Sequence, residues 1–196
     1  MTMNMTDQSF IPYAKHQITP EDEAAVLAVL RSLYFTQGPR VEEFEAALAA
    51  KTQARFCVCT NSGSTALLLA YMVAKHYGHS RALVPAITFV ATSNMARLAG
   101  LEVELLDCNA GTGIPTTWPE MDKNTVCVPV TLGGTAIYPF VGNTAIVDAC
   151  HGPIYHQSWM TCLSFHPAKH VACGEGGAVL TNDPGALELL RQIRNA

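Results

Sequence analysis

Apolar residues recur along the chain at two spacings. Ala25, Val26, Val29, Leu30 and Leu33 fall three and four residues apart and predict a first helix. Thr19 stands as its N-cap, Pro20 at its first position, and Glu21 and Asp22 in its first turn. Phe35-Thr36-Gln37-Gly38-Pro39 breaks that helix, and Val41, Phe44 and Leu48 begin a second. Residues 56–59 predict a short strand. The small polar turn Asn61-Ser62-Gly63-Ser64-Thr65 follows and opens an apolar helix over residues 66–74. Further short apolar runs at 82–84, 103–106, 126–130, 145–147, 161–163 and 178–181 predict strands, with a helix from Thr88 to Leu98 stopping at Gly100. Leu187, Leu190 and Ile193 mark the inner face of a last helix. Short apolar strands separated by helices predict an α/β fold, a three-layer α/β/α arrangement around a mostly parallel sheet.

Composition narrows the partners. The chain has 196 residues, the size of one domain. It is 49% hydrophobic and only 14% charged, so part of its surface is expected to meet another subunit or domain. A net charge of -4 without basic runs argues against nucleic acid and against anionic membrane. The seven cysteines, Cys57, Cys59, Cys108, Cys127, Cys150, Cys162 and Cys173, form no CxxC pair and no zinc spacing. Most are expected to be buried thiols of a reducing, cytoplasmic setting. Residues 1–9 are polar and lack the apolar core of a signal peptide, and no run reaches membrane-spanning length.

Candidate chemistry centres on Lys169, within Ser164-Phe165-His166-Pro167-Ala168-Lys169-His170 and ahead of Gly174-Glu175-Gly176-Gly177. An amine in so uncharged a neighbourhood is suited to capture a carbonyl as a Schiff base. A surface lysine with its stem on apolar side chains is the commoner case, but the glycines point to close backbone approach. The 61–65 turn, between strand and helix, is a ready anion site; capping by Ser62 or Ser64 is the plainer account and needs no ligand. Phe89 lies just past a strand end, where open α/β sheets bind ligands, although phenylalanine is more often core. Asp148 ends the run Ala145-Ile146-Val147. A carboxylate there is costly unless it meets a cation, such as a protonated pyridine nitrogen, or caps the next turn. His151 is three residues on, and Ser164 offers a hydroxyl five residues before Lys169.

These pieces, with Ile11-Pro12-Tyr13, Thr36-Gln37-Gly38-Pro39, Val41-Glu42-Glu43-Phe44-Glu45 and residues 85–92, occur in the order found in a known family. The chain resembles the DegT-type nucleotide-sugar aminotransferases, pyridoxal-phosphate enzymes with the aspartate-aminotransferase (fold type I) architecture. Within them, its opening and its Asp-Ala-x-His and His-Pro-x-Lys-His runs look most like the branch that makes UDP-4-amino-4,6-dideoxy-N-acetyl-altrosamine. The resemblance implies a cofactor, pyridoxal 5'-phosphate, held covalently by Lys169, which then moves a proton. It implies that Asp148 keeps the pyridine nitrogen protonated, that Phe89 stacks on the ring and that His151 lies beside it. Ser64, Thr65 and Ser164 would hold the phosphate, and Tyr13, Thr36 and Gly38 would lie near the sugar nucleotide. Glutamate would donate the amine to a 4-keto nucleotide sugar, in surface-polysaccharide sugar biosynthesis.

The resemblance also sets expectations for the missing parts. Members run to about twice this length, so residues 1–196 would be the large domain, with residues 1–40 an arm and first helix, and with the small C-terminal domain absent. The stretches 133–144 and 151–164 look shortened. The partner is expected to be a second copy in a homodimer, or a complementing chain. An active aminotransferase, a non-catalytic module that binds the cofactor or pairs with a homologue, and a remnant without ligand are the three readings. The joint presence of Lys169, Asp148, Ser164 and Phe89 disfavours the last.

Overall fold

In the computed structural model, residues 12, 14–135, 144–152, 156 and 158–195 are described. Helix α1 spans Pro20–Leu30 and α2 spans Pro39–Thr52. Strand β1 (Phe56–Thr60) leads through Ser62 into α3 (Gly63–His76). Then come β2 (Arg81–Pro85), α4 (Ala91–Leu98), β3 (Glu102–Leu106) and β4 (Thr125–Cys127). Strands β5 (Ile146–Asp148), β6 (Met160–Ser164) and β7 (Gly177–Thr181) precede the final helix α5 (Pro184–Arg194).

Strand pairing gives two ladders, β3-β2-β4 and β1-β7-β6-β5. Parallel bridges Cys127–Ala145 and Val130–Asp148 join them edge to edge. The order across the joined sheet is therefore β3-β2-β4-β5-β6-β7-β1, with β7 alone antiparallel to its neighbours. The expected strand over 126–130 forms a ladder only through Cys127, because Pro129 has no N–H to donate. The chain still runs beside β5, where the Asp148 N–H donates to the Pro129 carbonyl at 2.9 Å.

Alternation along the strands sends side chains to two cores. Val58, Met160, Cys162 and Val179 meet α3, α4 and α5 on one face. Cys57, Leu163, Ala178 and Leu180 meet Leu48 and Ala49 of α2 on the other. This period of two, with helices on both faces, is the expected three-layer arrangement. Tyr71, on α3, is fully buried, and its hydroxyl donates to the Thr92 carbonyl at 2.9 Å, pinning α4 to α3.

Helix α1 departs from expectation. Its start is as read: the Asp22 N–H donates to Thr19 Oγ1, and Asp22 Oδ2 accepts from the Thr19 N–H, a reciprocal capping box. Its apolar stripe, however, meets no core among the described residues: Ala28 and Val29 only edge the groove beside α2, and none of its residues is buried. Periodicity specifies a helix but not a surface to lie on. Helix α4 begins at Ala91 rather than Thr88, which leaves Thr88 and Phe89 in the connection above β2. All seven cysteines are free; Cys57, Cys127 and Cys162 are buried, and Cys173 is exposed, against the expectation for most of them. Among the described residues no helix is long and apolar enough to cross a membrane.

Candidate active site

The carboxyl ends of the parallel strands and the start of α3 surround a cleft of about 540 Å3. Asp148 enters from the end of β5, Ser164 from the end of β6, and Lys169 from the loop after β6. Phe89, His151, Ser62 and Ser64 complete its wall. Lys169 and Asp148, 21 positions apart in sequence, thus face one space.

Two glycines allow the elements to meet there. A Cβ on Gly63 would lie 2.7 Å from Ser164 Cβ and 3.1 Å from Cys150 Sγ. A Cβ on Gly177 would lie 2.3 Å from the Ser62 carbonyl oxygen. Their missing side chains let β6, β7 and the first turn of α3 close on one another. Ser62 caps α3, accepting from the Thr65 N–H at 3.1 Å. Helix geometry leaves the N–H groups of Gly63 and Ser64 without intrahelical partners beside the positive end of the helix dipole. The turn is therefore a cap whose free N–H groups form a concavity suited to an anion. The hydroxyl of Thr65 donates to Asn61 Oδ1 at 2.6 Å and lies 3.0 Å from Ser62 Oγ. Thr65 is not one of the residues lining the cleft; it braces Ser62 from behind.

Asp148 is 4% exposed. Its Oδ2 accepts from the Thr92 hydroxyl at 2.8 Å, and its Oδ1 from the Cys150 N–H at 3.2 Å. Among the described residues it has no ion-pair partner. A buried carboxylate without a countercharge carries a heavy desolvation cost, so its setting fits a cation placed in the cleft. Groups around it stay neutral: burial and then the Asp148 charge push the Tyr71 hydroxyl and the Cys150 thiol upward. Lys169 is half-buried, and its ammonium has no hydrogen-bond or ion-pair partner among the described residues.

Burial lowers the pKa of His151, the Lys169 charge lowers it further, and Asp148 opposes both. Its Nδ1 accepts from the Gly133 N–H at 3.2 Å, so the neutral ring carries its proton on Nε2. His170 Nε2 donates to the His151 carbonyl at 2.9 Å, tying the lysine loop to the loop after β5. Phe89 is 66% exposed at the cleft, an aromatic face without a protein partner over most of its area.

Thr36 and Gly38 line a separate groove of about 200 Å3 between α1 and α2, with Tyr34 and Gln37, and share no lining residue with the cleft. Tyr13 lies outside the described residues. Thr92 was not singled out from sequence, since nothing local ties it to Asp148. Ser62 was read as part of the 61–65 anion turn or as its cap, and not among the residues that hold the phosphate. Glu175, at the rim, was read only for its neighbouring glycines.

A model of the DegT/DnrJ/EryC1/StrS aminotransferase family matches residues 16–121 and 147–196. Among solved structures, Helicobacter pylori PseC, an aminotransferase involved in the biosynthesis of pseudoaminic acid, superposes with a TM-score of 0.80 at 25% identity. It is covered over 55% of its length by 93% of this chain. The sugar aminotransferase CalS13 from Micromonospora echinospora gives 0.79 at 23%, covering 93% of this chain and 57% of that one. NtdA from Bacillus subtilis, solved with the cofactor PMP bound, gives 0.74 at 24%, covering 89% and 45%. The chain spans about half the length of the solved structures it matches.

Proposed function

This chain belongs to the DegT/DnrJ/EryC1/StrS aminotransferase family, and on that premise we propose that it is the cofactor-binding domain of a pyridoxal-phosphate-dependent aminotransferase. Its acceptor is a 4-keto nucleotide sugar and its amine comes from glutamate, in the cytoplasmic synthesis of surface-polysaccharide sugars. The likeness to PseC, an aminotransferase involved in the biosynthesis of pseudoaminic acid, and to the sugar aminotransferase CalS13 supports a sugar acceptor. One observation carries the reading: Asp148, a buried carboxylate with no ion pair among the described residues, shares a cleft with Lys169, whose amine has no hydrogen-bond partner among them.

Pyridoxal phosphate, when bound, supplies an electron sink that weakens the bonds at a carbon joined to its nitrogen. Lys169 would hold the aldehyde carbon through Nζ and, once displaced, would take and return a proton at that same atom. Asp148 would hold the proton on the ring nitrogen. Phe89 would cover one ring face and keep water from it, and neutral His151 would offer its Nε2–H to the ring's surroundings. Ser62, Ser64, Ser164 and the first-turn N–H groups of α3 would take the phosphate, with Thr65 holding Ser62 in place. Thr36, Gly38 and Tyr13 are assigned to the sugar nucleotide on the family resemblance alone, since Thr36 and Gly38 line a groove separate from the cleft.

The test is spectroscopic. Purified protein with pyridoxal phosphate is expected to show a visible band that borohydride bleaches, and Lys169→Ala is expected to show none. Glutamate is then expected to convert that band. The alternative is a module that binds the cofactor or pairs with a homologue without turnover. A bleachable band that glutamate never converts, even with a full-length homologue or complementing chain present, would select it.

A further inference from the structure

The carboxylate of Asp148 accepts from the hydroxyl of Thr92 at 2.8 Å, and the thiol of Cys150 is a second, weaker side-chain partner. A hydroxyl has a single proton and an ionised carboxylate only accepts. The Thr92 proton therefore points at Asp148, and the contact between Thr92 Oγ1 and Thr88 Oγ1, also 2.8 Å, must be donated by Thr88. Two hydroxyls thus form a one-way relay from the wall of the cleft, where Thr88 sits, to the carboxylate. Thr92 is fully buried, its carbonyl is held by the buried Tyr71 hydroxyl, and it lies in the first turn of α4. The Thr92 end of the relay is therefore anchored to the helix layer, and Thr88 reaches it from the connection before α4.

We propose that Thr92 is a positioning residue: with Thr88 behind it and the Cys150 N–H on the other oxygen, it fixes the rotation of the Asp148 carboxylate, leaving its free lone pairs aimed at a cation in the cleft. The inference rests on the cofactor assignment above. Without Thr92 the carboxylate keeps its charge but loses the donor that sets its plane. A group held only by the Cys150 N–H and its weakly donating thiol turns more freely and meets a planar ring nitrogen less often in line.

The experiment measures the dissociation constant for pyridoxal phosphate by absorbance titration, and separately the glutamate half-reaction. Thr92→Val, which keeps the shape and removes the hydroxyl, is expected to weaken cofactor binding about 10-fold or more, as supporting-residue losses do. Its kcat is expected to fall while the KM for glutamate moves by less than about twofold. Thr92→Ser, which keeps the relay, is expected to restore both to within about threefold. A cycle with Asp148→Ala isolates the route: Thr92→Val is expected to add nothing once the carboxylate is gone. Equal losses with and without Asp148, or a lowered melting temperature with unchanged cofactor affinity, would overturn the proposal and make Thr92 a packing residue. If Thr92→Val does not fold, Thr88→Val at the cleft end decides the matter, and unchanged affinity there counts against the relay. A wild type that never forms the visible band would instead reject the cofactor assignment itself.

Discussion

Gly177→Ala tests how closely the anion turn is held to the sheet. The added Cβ would stand 2.3 Å from the Ser62 carbonyl oxygen, 2.5 Å from its carbon and 2.7 Å from the Gly63 nitrogen. All three are backbone atoms, so no side chain can swing aside. Reaching even a tight carbon–oxygen contact of roughly 3 Å requires the strand and the turn to part by roughly 0.7 Å. Gly177 is also paired on both sides, with Thr60 of β1 and Ser164 of β6. Relief at the turn therefore strains two ladders. Overpacking of this kind costs about 1–3 kcal/mol, or a fall in melting temperature of roughly 2–12 °C for a chain of this size. The same movement shifts the first turn of α3 within the wall of the cleft it shares with Lys169, and a displacement approaching 1 Å in a positioned site costs up to about 100-fold. Thermal unfolding and titration with pyridoxal phosphate are the two measurements. Gly174→Ala is the comparison: nothing lies within 4 Å of its Cβ, but its φ is +89°, so only a backbone cost of about 1–2 kcal/mol is expected. A melting temperature and cofactor affinity for Gly177→Ala within error of wild type would refute the reasoning.

Acid should destabilise the protein through His156, which is 5% exposed and whose pKa burial lowers to about 4 from 6.5. The unfolded chain takes up this proton below about 6.5 and the folded chain does not, so stability present at neutral pH is lost as pH falls through that window and levels off near 4. Urea unfolding at pH 7 and 4.5 is expected to differ by about 2–3 kcal/mol on this account, and the difference should shrink in His156→Gln. An undiminished difference in the variant would point elsewhere. Arg194 Nη1 lies 2.7 Å from Glu45 Oε1, which also accepts from the Cys59 N–H at 2.8 Å and is nearly closed to solvent. Arg194→Met is expected to cost about 3 kcal/mol by leaving that carboxylate without its cation, and adding Glu45→Gln should recover most of it in denaturant titrations. Equal stability of wild type and single variant would show that the pair contributes nothing.

Local pattern determined a good deal here. The 3.6-residue spacings specified the helices, because a helix is built from neighbours within four positions. The Thr19–Asp22 capping box and the end of the chain's last helix were legible for the same reason. The strands were found to within a residue or so, except where Pro129 cuts short the ladder of β4. Lys169, Asp148 and the 61–65 turn stood out because each breaks the composition around it.

The rest depended on register between distant strands. Thr92 is 56 positions from Asp148 and reaches it only because β2 and β5 flank β4, which puts the start of α4 over the end of β5. The need for glycine at 177 exists only because β7 runs back, antiparallel, beside the turn that follows β1. The apolar face of α1 meets no core among the described residues. A sequence specifies which side chains share a face, since that follows from backbone geometry within one element. What those faces meet is decided by sheet order, which is settled by the burial of the whole chain at once.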